Sequence, residues 1–189
     1  MTGSDDDGST PDAAHSDATD APPSAATPPG VSAADLEVLA EQLGRPARGV
    51  VAVAARCVCG RPTVVRTAPR LEDGTPFPTT YYLTSPGAVA AVSTLEASGV
   101  MREMSERLTQ DEALAAGYAR AHEHYLAQRA ELGEVPEIDG ISSGGMPTRV
   151  KCLHVLVAHA LAAGPGVNPL GDEALALIAD VWRPDRCTC

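Results

Sequence analysis

The chain has 189 residues and a formal net charge of −11, with 44% hydrophobic residues but only 3% aromatic ones. That length suits one ordinary domain, and the acidic balance excludes a general polyanion binder, so nucleic acid is not an expected partner. The longest apolar stretch, GVVAVAA from Gly49, falls far short of the roughly 20 residues that span a bilayer, so no membrane insertion is expected.

Residues 1–30 hold six Asp, five Pro and no Lys, Arg or aromatic residue, too little apolar surface to offset the entropy of ordering; a disordered acidic tail is expected over 1–31. Setting aside those six of the 25 acidic residues, against 14 basic ones, leaves the folded part near −5. The N-terminus lacks the basic start and apolar run of a signal peptide, and a cytoplasmic location is expected. In that compartment the five cysteines are reduced or metal-bound, and their odd number argues against a closed disulfide framework.

From Ser32, SAADLEVLAEQLG carries an N-cap serine, leucines at helical spacing (Leu36, Leu39, Leu43) and Gly44 as a stop, which predicts a first helix. GVVAVAARC and PTVVRTAP, β-branched runs separated by VCGR, predict a hairpin. A third run, TPFPTTYYLTSP, is confined by Pro76 and Pro78 to an edge or to its last half. Ser85 and Pro86 open a helix that ends at Gly99, and MREMSERL makes a short one. Thr109 with Glu112 reads as a capping box for a long helix through Leu132. A helix over 147–163 begins at Pro147, and DEALALIADVW is the last. Three strands followed by helices, without a repeating strand–helix unit, predict an α+β fold: a small antiparallel sheet of about three strands with about five helices, in a single domain over 32–182 followed by a C-terminal tail over 183–189.

Two chemistries compete for the helix over 147–163. SSGGMPTRVK places a Ser/Gly loop at its start with two cations close behind. Gly144, Gly145, Arg149 and Lys151, joined by Arg70 from the segment RTAPRLEDGTPFPTTYYLT, would hold a small anionic ligand bearing phosphate or carboxylate, since free N–H groups, helix dipole and cations all favour an anion. The Walker spacing is absent. The plainer reading is a loop with solvated charges.

The second chemistry is a divalent transition metal such as zinc. By helical phase Cys152 and His159 project from one flank and His154 from the other, so Cys152 and His159 would supply two ligands, and Cys57 and Cys59, alternate residues near a strand end, two more. Against this stands the ordinary reading of Cys152 as a small buried hydrophobe and His159 as a hydrogen-bonded boundary residue. The terminal pair Cys187 and Cys189 is discounted as a mobile chain end. Tyr118, His122, Tyr125 and Arg129 form one stripe on the long helix, either a cleft lining or core with polar tips at its rim. No H-E-x-x-H or G-x-S-x-G motif is present, so enzyme status stays open.

PRLEDGTPFPTTYYLTSP, MREMSERL, AHEHYLAQR and SSGGMPTRVKCLHVLVAHALAAGPGVNPLGDEAL together resemble the bacterial family called domain of unknown function 501, in its actinobacterial branch, over roughly residues 33–182. The resemblance implies no biochemical activity. It associates the chain with a septum-formation initiator and an exopolyphosphatase-like enzyme, and so with cell division or phosphate metabolism, where a protein partner and the role of interaction module would be expected. It also implies a metal or thiol site at Cys57, at a Cys or His in the place of Ser85, and at the KCLH that supplies Cys152 and His154. Serine at position 85 departs from that pattern.

Overall fold

A computed structural model describes residues 30–187 and 189. The expected acidic tail lies outside the described residues except for its end, where Val31 is already buried.

The order is α1 (Ala33–Leu43), β1 (Val50–Arg56), β2 (Pro62–Thr67), β3 (Tyr81–Leu83), α2 (Pro86–Ala97), α3 (Val100–Arg107), α4 (Glu112–Ala130), a 3-10 turn (Pro136–Ile138), α5 (Leu153–Ala163) and α6 (Pro169–Leu177). The fold is α+β, as expected, with six α-helices among the described residues. The sheet order is β1-β2-β3, antiparallel throughout, with Val53 opposite Val65 and Val64 opposite Leu83.

Side-chain alternation assigns the two faces of this sheet. Val64, Tyr81 and Leu83 point into the main core with Leu153, Leu156, Val157, Tyr118 and Tyr125. Val65 and Tyr82 point the other way, to Leu39 of α1, Val31 and Val50. The sheet therefore lies between α1 and the remaining helices, which is why β2, covered on both faces, is buried at five of its six positions.

The caps explain where the helices begin. Ser32 and Asp35 form a reciprocal capping box, and Gly44 closes α1 at φ 66°. Asp35 also receives both guanidinium nitrogens of Arg56, at 2.6 and 3.0 Å, and this pairing holds its carboxyl well below the usual carboxylate range. The same guanidinium donates to the Gly60 carbonyl at 2.8 Å. Arg56 thereby couples α1 to the turn that carries Cys57 and Cys59.

Three expected helix starts move, and the last helix ends at Leu177 instead of Trp182. The N-cap of α4 is Asp111, whose carboxylate accepts from Leu114 N–H, and not Thr109, whose hydroxyl donates back to Glu106 O. The last helix starts earlier, at Pro169, because the Asn168 side chain caps it by accepting from Gly171 N–H. Helix α5 starts six residues after the expected Pro147. There the Gly144 carbonyl accepts from Lys151 and Cys152 N–H while Gly145 O accepts from Arg149 N–H, so these amides close turns instead of a helical ladder. A Cβ on Gly145 would stand 2.6 Å from Arg149 O, so this closure needs glycine.

Candidate metal centres

Two clusters of potential ligands form among the described residues. In the first, the donor atoms of Cys57, Cys59, Cys187 and Cys189 all lie within 4.8 Å of one another. Cys57 and Cys59 occupy the β1–β2 turn, where Gly60 N–H donates to Cys57 O at 2.8 Å and Cys57 N–H to Arg61 O at 2.9 Å. Val58 N–H reaches Pro184 O at 3.3 Å, and Arg186 folds back onto Asp180 and Val181 carbonyls, bringing the chain end against that turn. Behind it, Trp182 is buried in the main core. The segment expected to be a tail thus lies against that turn, joined to it by the Val58–Pro184 backbone hydrogen bond.

The electrostatics of the four thiols are uneven. Burial pushes the Cys57 thiol up, while the Arg61 amide, assisted by the Cys187 thiol, lowers Cys59 to about 7. Amide donors aimed at sulfur favour thiolate. Burial also pushes Cys189 up to about 12, so the set becomes four thiolates only with an ion bound; sulfurs all within 4.8 Å of one another can close on a tetrahedral ion with metal–sulfur distances of about 2.3 Å.

The second cluster joins Glu96 of α2 with Cys152 and His154 at the start of α5, again within 4.8 Å. The His154 Nδ1 lies 3.9 Å from Cys152 Sγ and 3.2 Å from Glu96 Oε1. Its Nε2 lies 3.3 Å from Val89 O and 3.2 Å from Ser93 Oγ. Val89, Ser93 and Glu96, at i, i+4 and i+7, form one face of α2. The neighbouring Cys152 side chain, with Glu96 beside it, raises His154 to about 9 against the cost of burial.

The residues expected as one metal set are therefore divided. Cys57 and Cys59 meet Cys187 and Cys189, whereas Cys152 meets His154. The helical-phase argument fails for Cys152 because it is the N-cap, with extended backbone at φ −155° and ψ 112°, and so lies outside the helical repeat. His159 sits in the core, fully buried, stacked on Tyr81 at 5.5 Å between ring centroids. Its Nε2 is 2.9 Å from His124 Nδ1 and its Nδ1 is 3.2 Å from Asn168 Nδ2.

At the expected anion site Arg70 and the backbone amides are engaged elsewhere, while the Arg149 and Lys151 side chains are exposed. Arg70 makes a two-pronged pair with Glu137 at 2.7 and 2.8 Å and donates to Gly74 O. The amides of Arg149, Lys151 and Cys152 are taken by the two glycine carbonyls, and Val150 N–H by Ser105 Oγ. Leu153 N–H goes to Glu96 Oε1 at 2.6 Å. An anion does occupy the start of α5, and it is the chain's own carboxylate.

The aromatic stripe of α4 is core with polar tips: Tyr118 donates to Arg149 O, Tyr125 accepts from Thr80 N–H, and Arg129 donates to Ile138 and Ile141 carbonyls, while His122 meets Ser142. Three surface clefts, of about 500, 550 and 350 Å³, are lined by none of the cluster residues. Both clusters are shallow sites. No helix among the described residues is long and apolar enough to cross a membrane.

From the sequence alone Cys187 and Cys189 are discounted and Glu96 is not named. The signal for Cys187 and Cys189 was a repeated Arg-Cys-x-Cys, at 56–59 and again at 186–189. For Glu96 it was the lone charge on an otherwise uncharged α2.

No curated protein and no solved structure matches the chain. A family described as "Protein of unknown function (DUF501)" matches residues 53–176, well over half of the sequence, a span that contains Cys57, Cys59, Glu96, Cys152 and His154 and stops short of Cys187. With that match and this fold, the chain belongs to the DUF501 family.

Proposed function

We propose that this protein is a metalloprotein whose four thiols Cys57, Cys59, Cys187 and Cys189 bind a thiophilic divalent ion, zinc by the chemistry of the donor set. The convergence of four sulfurs from two distant Arg-Cys-x-Cys segments carries this reading. A closed four-thiolate set leaves no position for substrate, so its role is structural. It fastens the C-terminal segment, and with it Trp182, to the β1–β2 turn. Because unfolded chains rarely offer a preformed site, the binding energy of such an ion adds to folding.

Elemental analysis of protein purified anaerobically without chelators tests this, with the Cys187→Ser/Cys189→Ser double variant in parallel. The expected result is an ion lost in the double variant, together with a fall in melting temperature that added zinc does not reverse. Wild-type protein whose metal content is the same as that of the double variant would overturn the reading.

A further inference from the structure

We propose that Glu96, Cys152 and His154 form a second metal site, distinct from the four-thiol centre, with three protein ligands and an open coordination position. The donors are of three kinds, and their spacing suits one small ion. Bonds of about 2.0 Å to nitrogen and oxygen and about 2.3 Å to sulfur place neighbouring tetrahedral ligands about 3.3 to 3.5 Å apart. The separations of 3.2 Å for His154 Nδ1 to Glu96 Oε1 and 3.9 Å for Nδ1 to Cys152 Sγ bracket those values.

The surroundings of the three ligands hold them in place for an ion that would replace the proton of the Glu96–His154 pair. The His154 Nε2 faces the Val89 carbonyl, which accepts only, so Nε2 keeps its proton, and an ion that displaces the proton of Nδ1 would find the Nδ1 lone pair directed at the other two donors. Ligating histidines characteristically donate their second nitrogen to a backbone carbonyl in this way, fixing both ring orientation and tautomer. Glu96 is held in place by Leu153 N–H. The two elements are therefore braced by contacts outside the cluster.

What the site would take follows from the donor set. Cysteine with histidine selects zinc or another borderline ion over magnesium or calcium. Three protein ligands leave a fourth position for water or for an oxygen of a small carboxylate or phosphate. Glu96 and His154 side chains keep 23% and 25% of their exposure, so that position opens to solvent. A bound water there would be acidified toward neutrality, the property on which metal-assisted hydrolysis depends.

Cobalt(II) reconstitution of the full chain under anaerobic conditions tests the site. Wild-type protein is expected to bind two ions, and His154→Ala and Glu96→Gln one each. Cys152→Ser should remove about one-fifth of the thiolate-to-cobalt charge-transfer intensity, and Cys187→Ser/Cys189→Ser most of it. Inorganic phosphate or azide should shift the ligand-field bands of wild type but not of His154→Ala. If wild type and His154→Ala bind the same number of ions, this site is overturned while the four-thiol centre stands. If ions are lost in His154→Ala but unchanged in the double cysteine variant, the reverse holds. The single-site variants leave the docked chain end intact, so the result does not depend on the double variant folding.

Discussion

Replacing Gly171 by alanine is expected to destabilise the fold by about 3 kcal/mol, on the order of 10 °C in melting temperature for a chain of this size. A Cβ at that position would stand 2.3 Å from the Leu156 carbonyl oxygen and 2.9 Å from Ala160 Cβ. The first of these is backbone in α5, so no rotamer change relieves the contact. Helices α5 and α6 would have to separate. That movement would strain the Asn168 cap, which holds Gly171 N–H and touches His159. Alanine's higher helix propensity, worth about 1 kcal/mol over glycine, offsets only part of the cost.

Gly117 in α4 is the control. An added Cβ there meets only the Pro169 ring at 3.3 Å, a contact a shift of a few tenths of an ångström relieves, and the flexible Arg120 guanidinium at 3.7 Å. Gly117→Ala is therefore expected to be near neutral. Urea unfolding of the two variants checks the pair, and equal midpoints would show that the α5–α6 approach is not what requires glycine at 171.

Stability is expected to fall by about 3 kcal/mol between pH 6.5 and pH 4 through His159 alone. Burial, with His124 adjoining, lowers this histidine from 6.5 to about 4. A depressed histidine is neutral when folded, so the unfolded chain binds the extra proton. The penalty is small above pH 6.5, grows as pH falls, and is complete only below pH 4. Hydrogen bonding points the same way. Asn168 Oδ1 caps α6, which leaves its Nδ2 to donate to His159 Nδ1, and His159 Nε2–H then donates to His124 Nδ1. A proton added to Nδ1 would face a donor. Tyr81 and Tyr125, the other groups against the ring, are raised by burial and supply no counter-charge.

His159→Gln can accept from Asn168 and donate to His124 without titrating. It is expected to flatten the acid limb of the melting-temperature profile, most clearly between pH 6 and 4.5. His122, also lowered by burial, keeps a residual slope. The Asp35–Arg56 pair does not confuse the comparison: a depressed carboxylate stabilises above its unfolded value near 3.8 and loses that contribution only as pH falls further. Parallel pH profiles for wild type and His159→Gln would remove His159 as the origin.

Much of this fold was written in local signals. Ser32 with Gly44 bounded α1, Ser85 with Pro86 opened α2, and the two prolines before Tyr81 shortened β3, each because a cap or a missing N–H acts within a few residues. The start of α5 was misplaced for a reason of the same kind seen from a distance. Pro147 is a good first helical residue, but the carbonyls of Gly144 and Gly145 capture the amides that follow. That error carried into the site, since it put Cys152 on the helical repeat with His159.

The sequence by itself determined the composition class, the α+β order, most element limits and the presence of thiols, histidines and carboxylates able to bind metal. Hydrophobic period and caps are short-range, and a linear reading captures them. Tertiary structure decided which of those residues meet. Cys187 and Cys189 reach Cys57 and Cys59 because the chain end folds back beside Trp182, and Glu96 reaches His154 because α2 packs on α5. Such partnerships depend on how helices and turns pack in three dimensions, a long-range property that no local spacing encodes.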